Sequence, residues 1–247
     1  MSNIDQASSA TIRKQNEYIE LAQFYDLLMD AGYYDYEAFV NSLALILETR
    51  TKILDVGVGT GLLTEQMLKV QDYEITGVDF SEEMLVKARR RLSDYNVKLL
   101  NLDIRDYPEN ESFQSIISSG GTICISHQDS GQYRLYSYCD DKLDHLSLLR
   151  KLYNLLEDDG LLIISIQGEH KNYSKAISED ITYSQEINYS GDYMTKWYTF
   201  SNEEKILSRQ SVKLVVFDEI EMINSFTEVG FKSLGVDQSN KFYVFQR

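Results

Sequence analysis

Apolar residues recur along the chain in short runs, and stretches of helical period separate these runs. Each run has the length of a strand, and glycine or polar residues follow it. Between the runs, apolar residues return every three to four positions, as they do on one face of a helix. This alternation predicts a parallel sheet with helices on both of its faces. The predicted strands are residues 52–56, 74–78, 97–102, 113–118 and 161–166.

The helical stretches carry recognisable end signals. Ser81 precedes one of them as an N-cap, two glutamates occupy its first turn, and three arginines occupy its last turn. The helix dipole favours this order of charges. Asp140 and Asp141 are interpreted in the same way, as acids at the start of a later helix. The predicted helices are residues 18–28, 36–47, 62–70, 82–92, 143–156 and 219–229.

The pattern changes after the fifth predicted strand. Three stretches of β-forming residues follow without a helical period, and Gly191-Asp192 between the first two is a turn signal. They predict antiparallel strands inserted into the fold, over residues 182–189, 193–200 and 206–217. After the last helix, residues 231–236 and 241–245 predict a closing hairpin.

Together these elements predict an α/β fold. We expect a doubly wound, seven-stranded, mostly parallel sheet with an antiparallel β insertion after the fifth strand. The chain would then divide into three parts. We expect N-terminal helices or a lid over residues 1–50, a core over residues 51–167 and 218–247, and the inserted strands over residues 168–217.

Composition narrows the function classes. The chain has 24 Lys and Arg against 39 Asp and Glu, a net charge of −15, and so acidic a surface repels the phosphates of nucleic acid. No window approaches twenty apolar residues, and the polar N-terminus lacks the apolar region of an export signal. Cys124 and Cys139 are too few for a disulfide framework and lack zinc-site spacing. We therefore expect a cytoplasmic protein without a nucleic-acid partner, a membrane partner or a metal.

The stretch from Asp55 to Gly61 carries the most specific chemistry. A predicted strand ends in a loop that contains Gly57, Gly59 and Gly61, and a helix begins at once. Glycines allow a tight turn with positive φ and let a ligand approach the backbone, and the helix start has unpaired N–H groups. In a dinucleotide-binding loop the third glycine comes one residue later. Asp55 would repel a pyrophosphate and attract an ammonium, so the loop favours a ligand with an amine.

Two further acids end the neighbouring predicted strands. Asp79 follows the second strand, where a carboxylate can accept both hydroxyls of a ribose. Asp103 follows the third strand, where its carboxylate can accept from an exocyclic amine. The carboxyl ends of such strands border the crevice in which open α/β sheets bind ligands. With Asp55, these acids describe a ligand that has an amine, a ribose and an adenine-like amine but no phosphate.

These motifs resemble the successive cofactor motifs of class I S-adenosylmethionine-dependent methyltransferases, over roughly residues 18–247. The resemblance implies S-adenosylmethionine as the cofactor, with the three acids at its methionine amine, its ribose and its adenine in chain order. Phe80 and Met84 would then lie against the adenine, although both also suit ordinary packing of a helix on a sheet. The residues implied to line the cofactor are Asp55, Gly57, Gly59, Gly61, Asp79, Phe80, Met84, Asp103, Ile104 and Ser119.

Residues 118–127 lie where the methyl group would emerge. They resemble the corresponding segment of small-molecule N-methyltransferases that act on amino sugars or glycine, although His127 comes two residues later than an equivalent would. A base is optional for methyl transfer, since alignment alone lowers the barrier. His127 and His170 are the candidate catalytic residues, and the alternative for each is a loop histidine without a catalytic role.

The resemblance places acceptor selectivity in the N-terminal helices and in the insertion. Segments at these positions fold over the active site in the family, and the inserted strands often pair between subunits, which makes a homodimer one expectation. Tyr25 and Tyr33 resemble the aromatic lid that covers the methionine end in sugar N-methyltransferases. The alternative is a helix packed by tyrosines.

The predicted function is therefore transfer of a methyl group from S-adenosylmethionine to an amine or a hydroxyl of a small molecule, with an amine favoured. The single proline, Pro108, excludes the loop with adjacent prolines that is typical of amino-directed nucleic-acid methylases. Two alternatives stay open. One is a methyltransferase fold that binds its cofactor without catalysis, and the other is a nicotinamide-dependent oxidoreductase, which the glycine spacing and Asp55 oppose.

Overall fold

The computed structural model describes residues 21–247, through which a thirteen-stranded sheet runs. The helix predicted over residues 18–28 begins outside the described residues, and its described part continues as a π-helical turn over Met29–Tyr33. The helices are α1 (Ala22–Leu28), α2 (Tyr36–Leu47), α3 (Leu62–Val70), α4 (Glu82–Arg91), α5 (Lys142–Leu155) and α6 (Glu219–Val229). The strands are β1 (Lys52–Val56), β2 (Glu74–Asp79), β3 (Lys98–Asn101), β4 (Phe113–Ser118), β5 (Ile123–His127), β6 (Tyr133–Ser137), β7 (Leu156–Gly168), β8 (Tyr173–Ala176), β9 (Thr182–Ser190), β10 (Tyr193–Ser201), β11 (Ile206–Phe217), β12 (Lys232–Val236) and β13 (Phe242–Gln246).

Seven of these strands form the doubly wound part of the sheet, in the order β3-β2-β1-β4-β7-β13-β12. β13 runs antiparallel to β7 and to β12, and the other neighbouring pairs are parallel. The prediction of a mostly parallel α/β sheet is confirmed. The carboxyl ends of β1, β2 and β3 consequently lie side by side at one edge of the sheet.

The central strands are buried on both faces. Leu54 of β1 belongs to the same hydrophobic core as Leu152 of α5 and Phe226 of α6. Ile53, one residue earlier, points to the opposite face and packs with Leu43 of α2. A strand covered on both faces has no polar side, which explains why the predicted strands are continuous apolar runs in the sequence.

Strand β7 joins two parts of the sheet. Its residues 161–165 pair with β13, and its last residues, 166–168, pair with β5. From β5 the sheet continues through β6, β11, β10, β9 and β8, each antiparallel to its neighbour. We call β5, β6 and β8–β11 the antiparallel wing. The predicted strands over residues 182–217 are confirmed. The sequence pattern does not predict the hairpin of β5 and β6, because β5 has only three consecutive apolar residues.

The segment α1 and the π-helical turn pack on the antiparallel wing. Leu28 and Met29 share a core with Met194 of β10. The ring of Phe24 stacks on Phe200 with 4.8 Å between centroids. The wing therefore fixes the position of the N-terminal segment relative to the sheet.

The helices begin at the predicted caps. The Ser81 hydroxyl accepts a hydrogen bond from the Met84 N–H at 3.3 Å, and the Asp141 carboxylate accepts from the Asp144 N–H at 2.8 Å. Both predicted helix starts are confirmed. Among residues 21–247, the longest helix, α5, has 14 residues, and none is both long and apolar enough to cross a membrane.

Candidate cofactor and acceptor site

The glycine loop forms a cradle at the carboxyl end of β1. Gly57 has a φ of 79°, and a Cβ added to it would lie 2.6 Å from the Cα of Gly121. The loop after β1 and the loop after β4 therefore approach each other backbone to backbone, which only a residue without a side chain permits. Gly61, also with a φ of 79°, begins α3. A ligand above this loop faces peptide groups rather than side chains.

Asp79 lies at the end of β2 in a fixed orientation. Its carboxylate accepts hydrogen bonds from the N–H groups of Gly59 at 2.9 Å and Ser81 at 2.8 Å. Burial raises the pKa of Asp79 to about 6, so the group is ionised at neutral pH. A carboxylate oxygen has more than one acceptor position, and Asp79 can therefore bind hydroxyl groups while it holds the loop.

Asp55 lies behind the glycine loop. It is 5% exposed, and it accepts a hydrogen bond from the Thr64 hydroxyl of α3 at 2.6 Å. Burial, with a smaller contribution from the nearby charge of Asp79, raises the pKa of Asp55 to about 6. Two buried carboxylates that repel each other are stabilised by a cation, so the pair favours a positively charged ligand near the loop.

Asp103 does not present a free carboxylate, in contrast to the sequence-based picture. It receives two hydrogen bonds from the Arg105 guanidinium, at 2.8 and 2.5 Å, and Arg105 also pairs with Asp144 of α5. Sequence reasoning missed Arg105 because it considered each acid without its neighbours. The third acid is therefore held in place by a cation that also ties the loop after β3 to α5.

Four adjoining cavities run from Asp103 to the surface, with volumes of about 30, 40, 30 and 860 Å³. They share wall residues. Phe80 lines the first two, Gly120 the second and third, and His170 the third and fourth. We call them, in this order, the first cavity, the central cavity, the inner chamber and the outer cleft. Asp79, Phe80, Asp103 and Ile104 line the first cavity, and Tyr25, Gly57, Met84 and Gly121 line the central cavity. Tyr25, Tyr33, His170 and Lys196 line the inner chamber, and Tyr34, His127, Gln167 and Lys175 line the outer cleft.

The cavities bring together most of the residues predicted to line the cofactor. Phe80 and Ile104 supply apolar walls to the first cavity, and Met84 lies in the central cavity. Ser119 precedes Gly120, and its hydroxyl is buried without a hydrogen-bond partner among residues 21–247. The residues present fit S-adenosylmethionine on two observations. The cavities beside the loop are lined by the Asp79 carboxylate and by apolar side chains, and the buried acid pair suits a cationic ligand.

Tyrosines from the N-terminal segment cover the central cavity and the inner chamber. Tyr25 lines both, and Tyr33 lines the inner chamber and the outer cleft. The Tyr34 hydroxyl accepts a hydrogen bond from the Gln167 side chain at 2.6 Å, and a Cβ on Gly120 would lie 2.4 Å from it. Burial raises the pKa of Tyr25 and of Tyr33, so these hydroxyls are neutral.

The two candidate histidines occupy different places. His170 lies edge-on to Tyr136 at 4.6 Å, and its Nε2 is buried without a hydrogen-bond partner in the described part of the chain. Burial and the charge of Lys196 hold its pKa well below the usual value, so the ring is neutral. His127 is exposed, packs against Tyr133 and lines the outer cleft. The structure therefore brings His170 to the inner chamber and leaves His127 near the entrance.

Lys196 of β10 is the residue of the inner chamber that sequence reasoning missed. It is 2% exposed, and its ammonium donates a hydrogen bond to the Tyr33 hydroxyl at 2.8 Å. Strand β10 alternates, and Met194, Tyr198 and Phe200 on its inward face are all buried. A lysine at an inward position of such a strand was the available signal.

Comparisons with known proteins agree with this geometry. A family model described as a methyltransferase domain matches residues 53–138. The carboxy-S-adenosyl-L-methionine synthase of Nautilia profundicola is 25% identical over 94% of this chain and 93% of its own length. The dTDP-3-amino-3,4,6-trideoxy-alpha-D-glucopyranose N,N-dimethyltransferase of Streptomyces venezuelae is 33% identical over 42% of this chain, and the chain spans less than half (45%) of that relative.

A solved structure shows the same fold over nearly the whole chain. The S-adenosylmethionine-bound amino pentose methyltransferase of Micromonospora echinaspora superposes with a TM-score of 0.67 at 16% identity, over 90% of this chain and 96% of the other. The matched family segment contains the glycine loop and all three acids. Residues 53–138 therefore match the methyltransferase-domain family, and the curated relatives agree with an S-adenosylmethionine-dependent methyltransferase that uses S-adenosylmethionine as its cofactor.

Proposed function

We propose that the protein methylates a nitrogen or an oxygen atom of a small molecule that enters through the outer cleft. The observation that carries this proposal is the continuity of the cavities. The outer cleft, at about 860 Å³, has the volume of a small-molecule site, whereas the inner chamber, at about 30 Å³, admits only the reactive end of an acceptor. A net charge of −15 disfavours a nucleic-acid acceptor.

The cofactor half of the proposed site uses the residues around the glycine loop. Asp79 would bind the ribose hydroxyls, and the charge of Asp55 would favour the methionine ammonium from behind the loop. The first cavity, between Phe80 and Ile104, would take the adenine, with Asp103 at its exocyclic amine. When bound, S-adenosylmethionine supplies an activated methyl group on a sulfonium.

The acceptor half has three tasks in this proposal: to align the acceptor, to exclude water and to accept a proton. Tyr25, Tyr33 and Tyr34 form the cover, and burial of the inner chamber excludes water. His170 is the proposed base, because its ring is neutral and its buried Nε2 has no hydrogen-bond partner among residues 21–247.

Residues 21–50 would serve as the lid, 51–167 and 218–247 as the core, and 168–217 as a cap. The similarity to amino-sugar methyltransferases supports an amine as the acceptor group.

The first experiment measures cofactor binding and turnover separately. S-adenosylhomocysteine should bind in calorimetry and raise the melting temperature more than a nicotinamide dinucleotide does. Methyl transfer from labelled S-adenosylmethionine should then be detected in a panel of small amines and hydroxy compounds. Tight binding without turnover across the panel would favour a non-catalytic binding protein, and preferential stabilisation by the dinucleotide would favour an oxidoreductase.

The second experiment assigns the base. His170→Asn should lower kcat by about 10²–10⁴-fold and leave the affinity for S-adenosylhomocysteine unchanged, because the substitution lies on the acceptor side. His127→Asn is the matched variant on the outer cleft. A loss confined to His127→Asn would move the base to His127, and full activity in both variants would show that alignment alone suffices.

A further inference from the structure

We propose that the acceptor carries a carboxylate next to its nucleophilic atom, and that Lys196 binds this carboxylate in the inner chamber. This inference rests on the proposed function and deepens it, since it names the class of acceptor: an amino acid or a hydroxy acid, or a larger molecule that ends in one.

Lys196 is a buried cation without an acidic partner in the described part of the chain. Its ammonium donates to the Tyr33 hydroxyl at 2.8 Å and lies 4.7 Å from the centre of the Tyr198 ring. No Asp or Glu among residues 21–247 forms a salt bridge with it. Fully buried lysines are rare unless they are paired. An ammonium has three N–H donors, so a hydrogen bond to one tyrosine leaves capacity for an anion.

The other groups around the chamber are neutral. Among residues 21–247, the polar ones are the Cys124 thiol of β5, the Gln167 amide, the neutral His170 ring and the hydroxyls of five tyrosines, Tyr25, Tyr33, Tyr34, Tyr138 and Tyr198. Burial raises the pKa of the Cys124 thiol to about 12, and burial lowers the pKa of Lys196 to about 8. At neutral pH the ammonium is therefore the main charge of the chamber, and an anion is its complement.

The size of the chamber limits what the anion can be. Its volume of about 30 Å³ leaves room only for a small group, so a compact planar carboxylate suits it better than a larger, tetrahedral phosphate. Lys196 and His170 line this same chamber, and the Nε2 of His170 has no hydrogen-bond partner within residues 21–247. A carboxylate on Lys196 and a nucleophile at His170 must then be close neighbours in the acceptor.

The test uses the full-length protein saturated with S-adenosylhomocysteine and pairs of probes that differ only in charge: glycine and glycinamide, β-alanine and its amide, lactate and lactamide. Calorimetry should show at least one carboxylate bound at least about tenfold more tightly than its amide. Lys196→Met and Lys196→Gln should both abolish this preference, because both remove the charge and the second retains a hydrogen-bond donor. Lys205→Met, an exposed lysine between β10 and β11, is the matched control and should behave as the wild type.

The outcomes separate this inference from the proposed function. Equal affinity for both members of every pair, absence of binding by both members, or a carboxylate preference that survives in both Lys196 variants would overturn the inference. Turnover of uncharged amines without any preference for acids would overturn it as well and leave the methyltransferase function standing. Failure of the wild type to bind S-adenosylhomocysteine would instead contradict the proposed function. Unchanged affinity of the Lys196 variants for S-adenosylhomocysteine would show that they fold.

Discussion

The two halves of the site differ in charge and in how the chain builds them. The cofactor half takes its acids, Asp55, Asp79 and Asp103, from the ends of three neighbouring strands, all between residues 55 and 103. The acceptor half takes Tyr33 from the N-terminal segment, His170 from the end of β7 and Lys196 from the antiparallel wing. The first half is acidic, and the second presents a cation among neutral groups.

The contrast has a physical origin. A parallel sheet places the ends of consecutive strands side by side, so local spacing along the chain is enough to assemble the cofactor half. The acceptor half depends on the packing of α1 and the π-helical turn against the wing, which joins residues more than a hundred positions apart. Substitutions in the two halves should therefore fail in different ways.

The largest effect is expected at Asp79. Asp79→Ala should weaken S-adenosylhomocysteine binding by about 10²–10⁴-fold, because two charge-assisted hydrogen bonds to the ribose are lost. The variant also removes the acceptor for the Gly59 N–H. Asp72→Ala is the control, since Asp72 is exposed and lies before β2. Undiminished affinity in calorimetry would show that the ribose binds elsewhere. The contrast between an acidic cofactor half and a cationic acceptor half would then no longer hold.

Gly57→Ala should be the most destabilising of the substitutions considered. Alanine would have to adopt a φ of 79° and place its Cβ 2.6 Å from the Gly121 backbone, which we expect to cost about 3 kcal/mol or more. Gly191→Ala is the matched control. Its φ is 57°, but its Cβ would meet open space, so it should show the conformational cost alone. Equal losses of unfolding free energy in the Gly57→Ala and Gly191→Ala variants would indicate that the loops after β1 and β4 do not need to be so close.

Asp55→Asn should stabilise the ligand-free protein while it weakens cofactor binding. Burial raises the pKa of Asp55 from 3.8 to about 6, so the folded state disfavours the ionised form. The contribution of Asp55 to the stability of the folded protein is full below pH 4 and is lost as the pH rises through about 6. The asparagine variant avoids this loss and should be about 2–3 kcal/mol more stable above pH 6. Denaturant unfolding of the wild type and the variant at pH 4 and at pH 8 measures this difference in stability. A difference that is the same at both pH values would contradict the raised pKa of Asp55.

The contrast between the halves also explains what could be predicted from the sequence. The acids and glycines of the cofactor half lie in one local pattern, and strands β9–β11 follow from their alternation and from Gly191. The hairpin of β5 and β6 was missed, although Gly131 between its strands was a turn signal. The place of His170 and Lys196 in one chamber was not predictable, because no local pattern records which strand of the wing faces the end of β7.

Arg105 should show the smallest effect and sharpens the comparison most directly. Arg105→Gln releases Asp103 and Asp144 from their shared cation, and Arg105 is partly exposed, so we expect a loss of about 1–2 kcal/mol in stability. Affinity for S-adenosylhomocysteine should fall about tenfold, because an unrestrained carboxylate no longer points at the adenine. Arg150→Gln, which breaks an exposed pair with Glu228, should change neither quantity.

An increase in affinity for Arg105→Gln would reverse this interpretation. Arg105 would then compete with the adenine for Asp103, and the third acid would belong to the scaffold that ties the loop after β3 to α5. The cofactor half would rest on Asp55 and Asp79 alone, both of which accept hydrogen bonds from uncharged donors. Calorimetry on this one variant therefore decides whether the acidic half has two members or three.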